Sequence, residues 1–167
     1  MKKSIILLSL IPFHCFSEGF ALDRDYSVGA GIGAMYNGVG VNVARSTYTD
    51  LGYVAAGCTS YSTISGSSCG LSVGWIKTDL FSADSNKHGF GLYAGKLDEE
   101  NYTSYTLTNQ GRVYYQHDKD IYGAGVSYTY FTNGINRPGP TYGISVHTTN
   151  AEFKSRYAGF LQVGYQF

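Results

Sequence analysis

The segment Tyr157–Phe167, YAGFLQVGYQF, decides the fold. Side chains of an extended chain alternate between two faces. Tyr157, Leu161, Val163, Tyr165 and Phe167 therefore share one face, and Ala158, Gln162, Gly164 and Gln166 share the other. An amphipathic helix needs a period of 3.6, which this stretch lacks. Soluble chains commonly end in a frayed polar tail. This one ends in a strand of aromatics.

The same alternation recurs upstream, bounded by turn residues. YSVGAGIGAMY sets Tyr26, Val28, Ala30, Ile32, Ala34 and Tyr36 against a face of glycines and Ser27. GVGVNVA sets Val39, Val41 and Val43 against Gly38, Gly40 and Asn42. LGYVAAGC is weaker, with Leu51, Tyr53 and Ala55 on its apolar side. CGLSVGW, GFGLYAG, YGAGVSYTY and TYGISVH repeat the pattern with Trp75, Leu92, Val126 and Ile144 on their apolar faces. About eight strands result, with no stretch that reads as a helix.

The second faces decide the architecture. In a soluble sandwich or ligand-binding barrel they point to water and carry Lys, Glu, Asp and Arg. Here they carry Gly, Ser, Thr, Asn and Gln, in a chain with 22 glycines and only 14% charged residues. Glycine weakens a solvated strand but suits a crowded barrel interior. The apolar faces then point outward, which lipid alone makes favourable. The expected fold is all-β: a closed antiparallel up-and-down transmembrane β-barrel of about eight strands. Aromatics at the strand ends, Tyr26 and Tyr36, Tyr122 and Tyr130, Tyr157 and Phe167, suit two lipid-facing interfacial girdles. Closure would leave no strand edge unsatisfied in lipid. A soluble secreted ligand-binding barrel is the alternative if the apolar faces converge inward.

The first residues read as an export signal. Lys2 and Lys3 precede the short apolar run SIILLSLIPF, and cleavage fits after Ser17 or after Ala21. This gives a signal peptide over 1–17, alternatively 1–21, and a barrel domain over 22–167. The bulky PFH before Cys15 argues against lipidation. Without Lys2 and Lys3, 10 of the 12 basic residues remain against 12 acidic ones, if Glu18 is kept. No basic run supports nucleic-acid binding. In an oxidising compartment Cys58 and Cys69 are expected to pair, constraining the unfolded chain by about 3 kcal/mol.

The signal segment, the strand pattern and the closing strand together resemble the bacterial outer-membrane barrels. Their terminal strand commonly alternates aromatics and ends in Phe, a signal read by the barrel assembly machinery. Tyr165 and Phe167 occupy the matching places. The length is similar to the eight-stranded group that includes OmpX, NspA and the OmpA transmembrane domain. The resemblance implies a Gram-negative outer membrane, contact with its lipids and lipopolysaccharide, and loops available to an extracellular ligand or host protein.

Strand parity then places the cysteine segment, the long stretch from Lys96 to Asp120, and HTTNAEFKSR outside, with TNGINRPGP inside. YNG is a short outer connection whose Asn37-Gly38 signals a tight hairpin. KTDLFSADSNKH is long for an inner one.

Three stretches invite chemistry. GAGIGAMYNG lacks the order of a phosphate loop and no helix follows it. HTTN resembles the H-x-S-N element of the lipid A 3-O-deacylase family, also an eight-stranded barrel. That resemblance implies His147 as base, Thr149 as nucleophile and a carboxylate to orient the imidazole. Here Thr replaces Ser, and Glu152 is the nearby carboxylate because the family's later Glu has no counterpart. Strand phase points His147 into the barrel. The outer segment sets Asp98, Glu99, Glu100, Asp118 and Asp120 among tyrosines, without the order of a calcium loop. Lys96, Arg112, Lys119, Lys154 and Arg156 suit lipopolysaccharide phosphates. No cofactor or metal is expected, and a conducting pore is not expected at this strand number. The functional expectation is a non-catalytic structural or surface-interaction barrel, with a lipid A-modifying enzyme as alternative.

Overall fold

The structure is a computed structural model that describes residues 25–62, 66–80, 85–108 and 111–167. The assigned export signal lies outside them. Eight strands follow in order: β1 (Tyr26–Gly33), β2 (Gly38–Ser46), β3 (Asp50–Ser62), β4 (Gly66–Lys77), β5 (His88–Thr108), β6 (Gly111–Phe131), β7 (Gly139–Thr149) and β8 (Tyr157–Gln166). Each pairs antiparallel with the next, and β8 returns to β1 to close the barrel. The seam sets Gly29 opposite Gln166 and Ile32 opposite Val163. The Phe167 N–H extends it by donating to the Val28 carbonyl at 2.8 Å. The closing stretch thus does what its alternation predicts, and the all-β barrel is as expected.

The barrel is apolar outside, and its interior mixes polar side chains with an apolar cluster that includes Met35, Leu51, Tyr53, Ile76 and Phe131. Val39, Leu71, Trp75, Leu92, Val126, Ile144, Val146, Leu161 and Val163 are all more than half exposed. Asn42, Ser72, Tyr93, Ser127, Thr129, Ser145, His147, Gln162 and Gln166 are buried in the interior. A water-soluble barrel turns a polar face to the outside instead. Outward aromatics gather toward both ends. Tyr26, Tyr142, Tyr165 and Phe167 lie near the end where β1 begins and β8 finishes, and Tyr122 and Tyr157 near the opposite end. Tyr130 is half-buried, with its ring centroid 5.1 Å from that of His88.

Tyr36 corrects the girdle assignment. The alternation of β1 stops at Gly33, whose φ of 117° is open to glycine and strained for other residues. Ala34–Tyr36 then form one turn of 3-10 helix folded into the barrel. Asn37 in the left-handed conformation and Gly38 at φ 90° return the chain to β2. Tyr36 is 0% exposed, and its hydroxyl lies 2.8 Å from Thr141 Oγ1. Two further bonds hold the turn, and a third fixes the Gln162 side chain that takes part. Asn42 Nδ2 donates to the Met35 carbonyl at 3.0 Å, the Met35 N–H donates to Gln162 Oε1 at 3.3 Å, and Gln162 Nε2 donates to Thr129 Oγ1 at 3.1 Å. The inward glycines make the room. A Cβ on Gly164 would overlap the Tyr36 ring and hydroxyl, and one on Gly31 would lie 2.7 Å from Tyr36 Cε2.

β3 is the second correction. Leu51, Tyr53 and Ala55 face inward and are buried, while Val54 is exposed. Pairing fixes this phase, because Val43 stands opposite Val54 and Val41 opposite Ala56, and opposed residues share a face. Tyr53 fills the space beside Gly74, where a Cβ would overlap its ring. The third correction concerns the long outer segment. It is a continuation of β5 and β6, paired from Asp98 opposite Ile121 to Leu107 opposite Arg112. A bulge between Lys96 and Asp98 marks where this ribbon leaves the barrel wall.

Candidate functional site

A cavity of about 140 Å³ lies at the end of the barrel where β7 finishes and β8 begins. His147, Phe160, Thr149, Ser60, Asp98 and Lys154 are among its lining residues. His147 points inward from β7 as strand phase predicts, and its Nδ1 lies 3.0 Å from the Tyr93 hydroxyl. Tyr93 also donates to Ser145 Oγ at 3.2 Å. The Phe160 ring stacks obliquely 5.0 Å from the imidazole. The imidazole is therefore fixed by a phenol and a ring.

The residues of the deacylase-like alternative are not joined. Thr149 lines the same cavity as His147, but its Oγ1 accepts from the Ala151 N–H at 3.4 Å. The Glu152 carboxylate binds Lys119 Nζ at 2.6 Å. Among the described residues no hydrogen bond links His147 to Thr149 or Glu152. No group of three or more His, Cys, Asp or Glu suited to a metal occurs among them.

The acidic and basic residues of the outer segment are instead spent on one another. Lys96 binds Glu99 and Asp120 at the foot of the ribbon. Lys154 binds Asp98 at 2.8 Å and donates to the Glu99 carbonyl at 2.7 Å. Glu100 is 1% exposed and accepts the backbone N–H groups of Glu152, Phe153 and Lys154 at 2.8 to 3.2 Å. Burial opposes its charge, yet these donors and the nearby Lys119 hold its carboxyl below the usual glutamate range. The β7–β8 connection is thereby tied to the base of the ribbon, with Phe153 against Tyr102 at 5.6 Å between ring centroids. Sequence reasoning named Glu100 as a loop carboxylate without seeing this role. Its partners are main-chain donors, which leave no trace in side-chain pattern.

Cys58 and Cys69 are bonded, the pairing expected from the sequence. They stand directly opposite each other on β3 and β4, just before the register shift between Cys58 and Ser60. Tyr165 and Phe167 both face outward, their rings 4.9 Å apart.

Above its foot the ribbon changes character. NYTSYTLTNQGRVYYQH, 101–117, contains one formal charge, Arg112. Tyr105, Leu107 and Tyr114 are well exposed on one face, with the Arg112 guanidinium 5.5 Å from the Tyr105 ring centroid. Tyr115 is exposed on the other face and Tyr102 partly so. Strand rise puts Leu107 roughly 27 Å beyond Glu99. On the barrel wall, an apolar groove of about 540 Å³ runs between Trp75, Leu92, Val126, Ile144 and Val146.

In comparisons with known proteins, no family model, no curated protein and no solved structure matches this chain.

Proposed function

We propose that this chain is an outer-membrane barrel that presents a non-catalytic contact surface, the β5–β6 ribbon, outside the cell. The observation that carries the reading is the inverted barrel: an apolar wall exposed on the outside, around an interior that buries Asn42, Ser72, Thr129, His147, Gln162 and Gln166. Only a hydrocarbon environment rewards that arrangement, because in water the exposed wall would be an aggregation surface. The Lys96–Glu99–Asp120 cluster then marks the headgroup level, and the groove beside Trp75 holds acyl chains. Lipopolysaccharide phosphates meet Arg156 at this rim, since Lys96, Lys119 and Lys154 are held by carboxylates. Tyr165 and Phe167 serve as the signal for barrel assembly. The ribbon composition supports contact rather than catalysis. Tyrosines give rigid area at small entropic cost, and Ser, Thr, Asn and Gln give adaptable hydrogen bonds.

The test is fractionation of expressing cells with protease added to intact cells. Recovery with outer membranes, slower gel mobility on heating, and cleavage confined to the ribbon support the reading. Release by osmotic shock, or a ribbon protected in intact cells, overturns it.

A further inference from the structure

We propose that the free edge of β6 above the barrel, Arg112–Asp118, pairs antiparallel with the same edge of a second copy on a facing membrane. The inference rests on the outer-membrane reading and specifies the partner of the ribbon. β7 accompanies β6 only up to Gly123 opposite Thr149. One further contact follows, in which the Asn150 N–H donates to the Tyr122 carbonyl at 3.0 Å and Asn150 Oδ1 accepts from the Tyr122 N–H at 2.9 Å. Higher up, among the described residues, β5 is the one strand partner of β6. Such an edge presents a row of backbone donors and acceptors, a template for another strand.

The sequence of this edge, RVYYQHD, is self-complementary when read against itself in reverse. With Tyr115 on a two-fold axis, Arg112 of one copy faces Asp118 of the other, twice per pair. Val113 faces His117, Tyr114 faces Gln116, and Tyr115 faces Tyr115. Opposed residues share a face of the joined sheet, so each charge pair lies on one side and the central tyrosines on the other. The β5 edge offers no such selection, because NYTSYTL carries no charge to set a register. Antiparallel pairing points the two barrels in opposite directions. The two copies therefore sit in different membranes, with the ribbons overlapping between them. One edge contact is small, so adhesion depends on many copies acting together.

The experiment uses the full-length mature chain in phospholipid vesicles, with clustering followed by light scattering. Gel mobility with and without heating verifies barrel closure, and added protease verifies that ribbons face outward. Wild-type vesicles are expected to cluster. Arg112→Asp alone and Asp118→Arg alone each create like-charge pairs and should slow clustering roughly tenfold or more. Mixing vesicles of the two single variants restores every opposite-charge pair, and clustering should return. Tyr115→Cys should form intermolecular disulfides in clustered vesicles, and Ser104→Cys on β5 should not. Clustering that ignores the single variants, or that the mixture fails to restore, overturns the pairing. Cross-linking at Ser104 also overturns it, assigning the contact to β5. A chain that inserts and exposes its ribbon but never clusters refutes this inference alone. A chain that does not insert refutes the membrane reading with it.

Discussion

The buried turn at Tyr36 yields a quantitative prediction. Truncating Tyr36 to Ala removes a side chain that is 0% exposed and bonded to Thr141. Large-to-small changes of buried aromatics cost about 3–5 kcal/mol, from lost transfer energy and the cavity left behind. Gly164→Ala tests the same contact from the other side. The added methyl would meet Tyr36 ring and hydroxyl atoms as its nearest neighbours. Overpacking of that kind costs about 1–3 kcal/mol. With Tyr36 already truncated, the methyl enters the vacated space and the penalty should nearly vanish. The two substitutions together should therefore destabilise less than their sum, by about 1–3 kcal/mol. The assay is reversible urea unfolding of the barrel in lipid vesicles, run on the wild type, both single variants and the double variant. Simple additivity would show that Tyr36 does not pack against Gly164. The inward turn would then be wrong, and Tyr36 would return to the outer wall.

Three further outcomes follow from the same structure. Leu92→Arg on the outer wall should cost about 2–4 kcal/mol in lipid if the site lies near the midplane, measured by the same unfolding assay; a neutral effect would place Leu92 in water. Glu100→Gln should loosen the β7–β8 connection while leaving the barrel closed, read as faster hydrogen exchange at the amides of Glu152, Phe153 and Lys154. Acid should do the same to the wild type. The folded carboxyl lies below its ordinary value of 4.5, so its contribution is present above that value and fades as pH falls through the lower folded one. Exchange at these amides that ignores both perturbations would refute the tether. Replacing Cys58 and Cys69 together by Ala should lower stability by about 3 kcal/mol or less, with unchanged barrel closure on unheated gels.

The sequence was most legible where one strand face was glycine and the other aliphatic. β2, β4, β5, β6, β7 and β8 took the phase their alternation implies, and Asn42, Tyr93, His147, Gln162 and Gln166 lie inside as that phase requires. β3 misled because LGYVAAGC has apolar residues on both faces, so local pattern could not choose between them. Register with β2 and β4 made the choice, and the Cys58–Cys69 pair held that information in advance. Tyr36 misled for another reason. Its alternation with β1 runs unbroken through a point where the backbone turns inward at Gly33. The space it fills belongs to Gly31 and Gly164, which are distant from one another in sequence. The ribbon was legible as a polar tyrosine-rich segment, and its Tyr and Thr content favours strand. Continuation of both strands past the wall was hidden by the bulge at Lys96–Asp98, which interrupts the alternation. At the candidate site, His147 was placed correctly in direction. Its partner Tyr93 comes from β5, and no local motif announces that meeting.

The central claim is that the apolar wall lies in hydrocarbon, and the chain provides its own probe. It contains one tryptophan, Trp75, which faces outward and is 51% exposed. Tryptophan fluorescence of the folded protein in vesicles should be quenched strongly by lipids with brominated acyl chains and hardly at all by aqueous iodide. Strong iodide quenching with indifference to brominated chains would place the outer wall in water and contradict the account.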